Sequence, residues 1–552
     1  GIVPLFLIGL HGSRSKIPYF ATKAIFEMGS SLYPYMKRFH ILIPLSLFLA
    51  VSLIFHFSSP NIPDPDSFYH LGHARYYAQD GLAVADFPWM HYSVVRTLAA
   101  DIWYGFHVFL IPFSLLDGTM GIKLAGVVLT AVALSAIYWV CRRHKLRWPV
   151  FWPLLIFVSA PNILNRFLMT RPHLLSLALA AVLFSLLIRG RLIWIFVVSA
   201  LLSWFHLSLF WMAVGLAGVV FVIRLIAEKK WLWRECLAVA AGLAVGWLAR
   251  PNPLGALKLV YVQVFKLISE KQQGLPLLFG RELFPLSGET LFKNFSAFML
   301  LWLGAMVLMF WLYRRLIKNQ TDNFKVMAFS SLVISLVFFV LTIVVARRSH
   351  DFWILFGVLF IAAAYSAVMQ NPLIQHSHIL KNVRMLFRAV TVLIFMFLIV
   401  YTPYRNSISL EERAVKPDRF KGAALWLKNN SQPGDIVFNV RWSDFPMLYY
   451  WNDTNHYIGG MDPIFQYAYD PALYWKFHYL SADEVTKKTC GAPACTASQM
   501  EDTYEVLKRD FKAKYVVLEK QRNPLAYFYL ENNPQQYEKK IDTTAEAVYL
   551  IR

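Results

Sequence analysis

Apolar runs of roughly 12–20 residues alternate with short polar breaks along most of the chain. The first run, 41–57, follows Lys37 and Arg38. Others occupy 123–140, 151–163, 173–187, 192–206, 209–223, 237–248, 298–313, 326–345, 352–368 and 389–400. Many approach the roughly 20 residues a helix needs to cross a bilayer. The run at 103–116 is short and reads as re-entrant or interfacial. Basic clusters follow alternate runs, at 142–147, at 189–191, at 224–230 and at Arg314 and Arg315. That alternation fixes orientation by the positive-inside rule, with the N-terminus cytoplasmic. The pattern therefore predicts a polytopic α-helical membrane protein of about eleven spans. An odd number of spans puts the tail on the extracytoplasmic side.

Three parts follow. Residues 1–35 are expected to be an N-terminal extension or an amphipathic leader, because Met36 opens a natural start, MKRFH, before the first run. That run has no small-residue cleavage site, so a signal peptide is not expected. Residues 36–401 form the transmembrane domain, with long outer loops at 58–101 and 250–294. Residues 402–552 read as a small mixed α/β domain. A helix over 419–430, capped by Asp418, stops at SQPG, and strands are expected at 435–440, 514–518 and 547–551.

Composition agrees. Of 552 residues, 57% are hydrophobic and only 16% charged, against about 25% charged in soluble domains. The net charge of +21 is spent on topology; no basic groove with stacking aromatics argues for nucleic acid. Of four cysteines, Cys141 and Cys236 lie at or near membrane runs. Cys490 and Cys495, in CGAPAC, are expected to form a disulfide if the tail is extracytoplasmic.

Candidate chemistry gathers in the outer segments. The first loop carries PDPDSFYHLGHARYYAQDG, residues 63–81. Asp64 and Asp66, two residues apart, can face one hard cation. Asp66 can equally cap the helix that follows. On that helix His70, His73 and Tyr77 share a face. In the tail, Asp444 stands between Trp442 and Phe445 after a predicted strand, which suits either a recognition pocket or a capped turn. Arg347 and Arg348 end a run on the outer side. They suit a lipid-borne phosphate or simple snorkelling at the interface.

The string Asp66-Ser67-Phe68-Tyr69-His70, placed after the first run, resembles the acidic motif of the GT-C superfamily, most of all that of archaeal and eukaryotic oligosaccharyltransferase catalytic subunits. The segment GDIVFNVRWSDFP, 434–446, is similar to the region of their Trp-Trp-Asp-Tyr-Gly motif, and ELFP, 282–285, resembles the Glu-containing element of their large outer loop. The resemblance implies a glycosyltransferase that moves a sugar or glycan from a polyprenyl phosphate or diphosphate to a protein or glycan acceptor outside an inner membrane. By position it makes Asp66 the first-loop acid, Asp64 an accessory and Glu282 the second-loop acid, with Arg347 and Arg348 on the donor phosphate. Trp442 and Asp444 would meet the acceptor. A divalent metal, Mg or Mn, would sit on Asp66, Glu282 and His173. One departure stands out: the second small loop, NRFLMTRPHLL, holds no carboxylate, so a metal-independent site is an equal expectation.

Two other classes fit a polytopic chain. A transporter or flippase for a lipid-linked glycan predicts ionisable groups at span centres and internal repeats, and the acids here lie in loops. A non-catalytic GT-C relative is consistent with the missing acid.

Overall fold

The computed structural model describes residues 42–552 apart from 85, 313–319, 371–377 and 484–487. The expected extension at 1–35 and the start at Met36 lie outside the described residues, as do Arg314 and Arg315. Six described helices are long and apolar enough to cross a membrane: Met120–Arg143, Leu207–Glu228, Gly288–Trp311, Asp322–Val344, Arg347–Gln370 and Ile379–Glu412. Shorter apolar helices, Leu42–His56, Tyr104–Ser114, His173–Arg189 and Leu192–Phe205, complete the bundle with Trp233–Leu248. The protein is an integral membrane protein.

The layers follow from where apolar side chains fall. Helix Arg347–Gln370 is apolar all round and buried along its length, so it forms the axis of the bundle. The peripheral helices instead expose Ile193, Phe310 and Leu393 outward, which only a lipid solvent tolerates on this scale. Helices Leu192–Phe205 and Trp233–Leu248 approach closely because Gly242 and Gly246 leave no Cβ to meet the backbone of Phe196 and Ala200.

One expected span is two helices. The run at 151–163 breaks into Phe151–Val158 and Pro161–Phe167. Pro161 has no N–H and forces Ala160 into extended backbone (φ −161°, ψ 152°). The break turns the chain so that the basic end of the second piece points at the site described below.

The C-terminal domain holds a five-stranded sheet in the order His456–Tyr457, Ile436–Asn439, Tyr515–Glu519, Glu546–Ile551, Tyr537–Asp542. The first two pairings are parallel and the last two antiparallel. The expected strands at 435–440, 514–518 and 547–551 fall on three of these. Helix Lys421–Asn430 forms, but Asp418 does not cap it through its side chain; Phe420 occupies that position at φ 57°. Cys490 and Cys495 are disulfide-bonded.

This domain is docked onto the outer loops. Ile62 bridges Val415, and Met90 bridges Tyr457. The helix Phe445–Trp451 lies on the first-loop helix Asp66–Asp80 at Gly72, where an added Cβ would touch the Tyr449 ring at 3.0 Å. Arg75 donates to the Tyr450 carbonyl oxygen at 3.2 Å. The loops and the domain together roof one end of the bundle.

Candidate active site

Under that roof lies a cavity of about 860 Å³. It is lined from both halves of the chain: Asp64, Asp66 and His70 from the first loop, Glu282 from the second long loop, and Trp442 and Asp462 from the C-terminal domain. Arg348 and Asp351, at the start of the axial helix, close its base. Its other wall is apolar, with Phe265, Ile268 and Val344 among the lining residues. These three are 55%, 39% and 63% exposed, so this wall runs out onto the apolar surface.

The polar side is an interlocked set of carboxylates and guanidinium groups. Arg171 donates from Nε to Asp64 at 2.5 Å and pairs through Nη2 with both Asp64 and Asp66, the latter at 2.7 Å. Its Nη1 is 3.4 Å from Glu282. Arg166 spans Glu282 at 3.1 Å and Asp351 at 2.7 Å. The planar guanidinium fork lets one side chain hold two carboxylates in fixed directions. Both arginines come from the proline-broken loop that carries no acid.

Asp66 does not cap its helix; Pro65 occupies the cap, and no side chain satisfies it. The Asp66 carboxylate is free to face the cavity. Burial pushes its pKa up to about 7; Arg171 opposes this, while Asp64, Glu282 and Asp462 add to it. Burial likewise lifts Asp462 to about 7. Glu282 moves the other way, to about 2, because Arg171 and Arg166 outweigh its burial.

The other expected residues divide. Arg348 lines the cavity, whereas Arg347 is not among the lining residues and its Nε is buried without a hydrogen-bond partner. Trp442 lines the cavity, but Asp444 does not. The Asp444 carboxylate is fully buried in the C-terminal domain and accepts from Arg419 at 3.2 Å and Arg522 at 3.4 Å. It holds the turn that presents Trp442 and cannot itself touch an acceptor. His173 lines the cavity with Nε2 3.0 Å from the Arg166 carbonyl oxygen.

A divalent ion does not fit Asp66, Glu282 and His173 as they stand. Arg171 already occupies the space between Asp66 and Glu282 and neutralises both, so the oxygen cage that a hard cation needs is not assembled. The described residues hold one group of metal-ligand type, His73, Asp101 and His107, with ligand atoms within 4.8 Å of one another. There, His107 Nδ1 and Asp101 Oδ2 are 2.6 Å apart. Two ligands of one tetrahedral ion at ~2.0–2.1 Å would stand about 3.3 Å apart. The pair therefore shares a proton.

Arg166, Arg171, Asp351 and Asp462 were not singled out by sequence. The available signal was the loop NRFLMTRPHLL, where two arginines and a histidine interrupt membrane-length apolar sequence. Ionisable residues are costly there and reside where a site needs them.

The chain is similar in fold to the Archaeoglobus fulgidus oligosaccharyltransferase. The crystal structure of that enzyme tethered with an acceptor peptide containing the NVT sequon matches with a TM-score of 0.56 at 14% identity, covering 94% of this chain and 75% of that one. Its apo form matches with a TM-score of 0.55 at 12% identity over the same shares. ArnT from Cupriavidus metallidurans bound to undecaprenyl phosphate matches with a TM-score of 0.49 at 14% identity, over 91% of this chain and 97% of that one. No protein-family model matches the chain, and no curated protein matches it by sequence. The fold is that of the Archaeoglobus fulgidus oligosaccharyltransferase, a helical membrane bundle joined here to a C-terminal domain that contains a sheet.

Proposed function

We propose that this chain is a membrane glycosyltransferase that takes a sugar or glycan from a polyprenyl phosphate or diphosphate and passes it to a protein or glycan acceptor on the extracytoplasmic face. The observation that carries the reading is the two-sided cavity. One wall is apolar and runs out to the surface, suiting a polyprenyl chain; the other holds Asp66 among arginines, suiting a charged headgroup and a nucleophile. The oligosaccharyltransferase named above was crystallised with an acceptor peptide and shares the fold, which supports placing an acceptor under the same roof.

In this reading the isoprenoid lies along Phe265, Ile268 and Val344, and Arg348 holds the phosphate. The bond from the anomeric carbon to the phosphate oxygen breaks as the acceptor's lone pair attacks that carbon. Arg348 stabilises the charge that grows on the leaving phosphate. Asp66 accepts a hydrogen bond from the acceptor and aims it. Arg171 holds Asp64, Asp66 and Glu282 in place, and Trp442 forms the roof over the acceptor. No step is routed through a metal.

The test compares wild type with Asp66→Asn in membranes supplied with radiolabelled polyprenyl-linked sugars. Transfer by wild type and loss in the variant are expected. Equal transfer by both would remove Asp66 from the chemistry. Movement of the labelled lipid across the bilayer without transfer would instead favour a flippase.

A further inference from the structure

Behind the cavity wall, three side chains form a hydrogen-bonded line that the reading above leaves unused. Asp101, His107 and His70 are 8%, 0% and 2% exposed. Asp101 Oδ2 accepts from His107 Nδ1 at 2.6 Å. His107 Nε2 meets His70 Nδ1 at 2.8 Å. His70 in turn lines the cavity and stands one helical turn from Asp66, on the same face.

The partners fix the proton positions one after another. A carboxylate only accepts, so His107 Nδ1 carries a proton. With His107 as the neutral imidazole, its Nε2 lone pair accepts from His70 Nδ1–H. His70 is left with its lone pair on Nε2, the ring nitrogen that makes no hydrogen bond to the protein. The far end is equally well pinned. Asp101 Oδ1 accepts from the Trp103 backbone N–H at 2.8 Å, and Asp101 Oδ2 also accepts from the Tyr77 hydroxyl at 3.1 Å. His73 stacks on His107 with ring centroids 4.2 Å apart and closes the cluster from the side.

We infer that His70 is the general base of the transfer, with His107 and Asp101 as the positioning residues that set its tautomer. This rests on the proposed glycosyl transfer and adds to it the group that takes the acceptor's proton. As the acceptor oxygen or nitrogen bonds to the anomeric carbon, its proton moves to His70 Nε2. The bonding pair to the phosphate oxygen leaves with the polyprenyl phosphate. The imidazolium formed at His70 donates to His107, whose own N–H is held by the Asp101 carboxylate, and the proton passes to water once product has left. Burial, with the Arg171 guanidinium acting the same way, holds the His70 pKa well below its ordinary value, so its lone pair is free at neutral pH.

Asp101→Asn tests the line with almost no change of shape. The Trp103 N–H keeps an oxygen at Oδ1, so the new amide nitrogen takes the place of Oδ2 and donates to His107. Every proton in the line then shifts by one nitrogen, and His70 presents N–H to the cavity. Diethyl pyrocarbonate acylates a ring nitrogen that carries a lone pair, and peptide mass mapping of the purified full-length protein reads its addition to His70. Labelling of His70 is expected in wild type, at least tenfold slower in Asp101→Asn. Transfer of radiolabelled sugar from polyprenyl-linked donors is expected to fall about 100-fold in kcat in both Asp101→Asn and His70→Ala, with the donor KM unchanged. Equal labelling of His70 in wild type and Asp101→Asn, or wild-type transfer by His70→Ala, would overturn the inference. If wild type transfers nothing from any polyprenyl-linked sugar, the proposed function fails and the catalytic role of His70 with it. The labelling still decides whether the relay has the stated proton positions.

Discussion

Two buried acid–arginine clusters in this molecule use the same chemistry for different ends. One surrounds Asp66 beneath the roof; the other surrounds Asp444 within the C-terminal domain. Each acid is paired with a guanidinium, and burial raises both, Asp66 to about 7 and Asp444 to about 6. Neither ion pairing nor a displaced pKa tells them apart. Access does: the Asp66 side chain is 16% exposed and lines the cavity, while that of Asp444 is 0% exposed and faces only its own domain. A perturbed carboxylate points to function only when a ligand can reach it.

Substitutions sharpen this contrast, beginning where the effect is greatest. Asp66→Asn is expected to lower transfer about 1,000-fold, within the range of a nucleophile no longer aimed, with an unchanged melting temperature by differential scanning fluorimetry. Arg171→Ala should cost both transfer and about 3 kcal/mol of stability, because it strands the buried Asp64 carboxylate; chemical denaturation in detergent measures the second part. Arg348→Ala should raise the donor KM about tenfold with a smaller change in kcat, read from initial rates against lipid-linked sugar concentration. The Asp66 pKa is raised, so the carboxyl is neutral below about pH 7 and ionised above it. Transfer should rise with pH through about 7, and the same profile of Asp66→Asn should lack that limb. The smallest effect on transfer belongs to the closed cluster. Asp444→Ala should leave kcat within about twofold and instead lower the domain's stability by about 2 kcal/mol, the part exposure of Arg419 and Arg522 moderating the loss.

The same contrast explains how far sequence alone could go. Apolar periodicity made the bundle legible, because a lipid solvent imposes long runs that nothing else explains. Strands in the tail were legible at 435–440 and 547–551 from short β-rich runs. His456–Tyr457 was not, because its two residues pair only once Ile436–Asn439 is in place. The broken helix at Pro161 was not read, although Ser159, Pro161 and Asn162 interrupt that apolar run. Of the residues that line the cavity, Asp64, Asp66 and Glu282 stood out through motif resemblance, and Arg348 through its place at a span end. Arg166 and Arg171 did not, because nothing in NRFLMTRPHLL shows which carboxylates fold against its two bases. Asp101 and His107 carried no local signal at all. Their meaning depends on His70, which is 37 residues from His107 in sequence and meets it only after folding. Trp442 and Asp444 were one motif in sequence and became two environments because the turn Trp442–Asp444 buries the Asp444 carboxylate while Trp442 stays on the cavity.

The final helix of the bundle, His378–Glu412, has 35 residues. At 1.5 Å per residue that is about 52 Å, well beyond the ~30 Å of a hydrocarbon core. It rises past the hydrocarbon core as a mast with Pro403 set inside it, and just past its top the chain is stitched to the first loop where Ile62 meets Val415, with Asn61 bonded to the Leu410 carbonyl. A soluble domain carried on such a mast has no slack with which to reach for partners. Any swing of that domain away from the bundle has first to undo the Ile62–Val415 pairing.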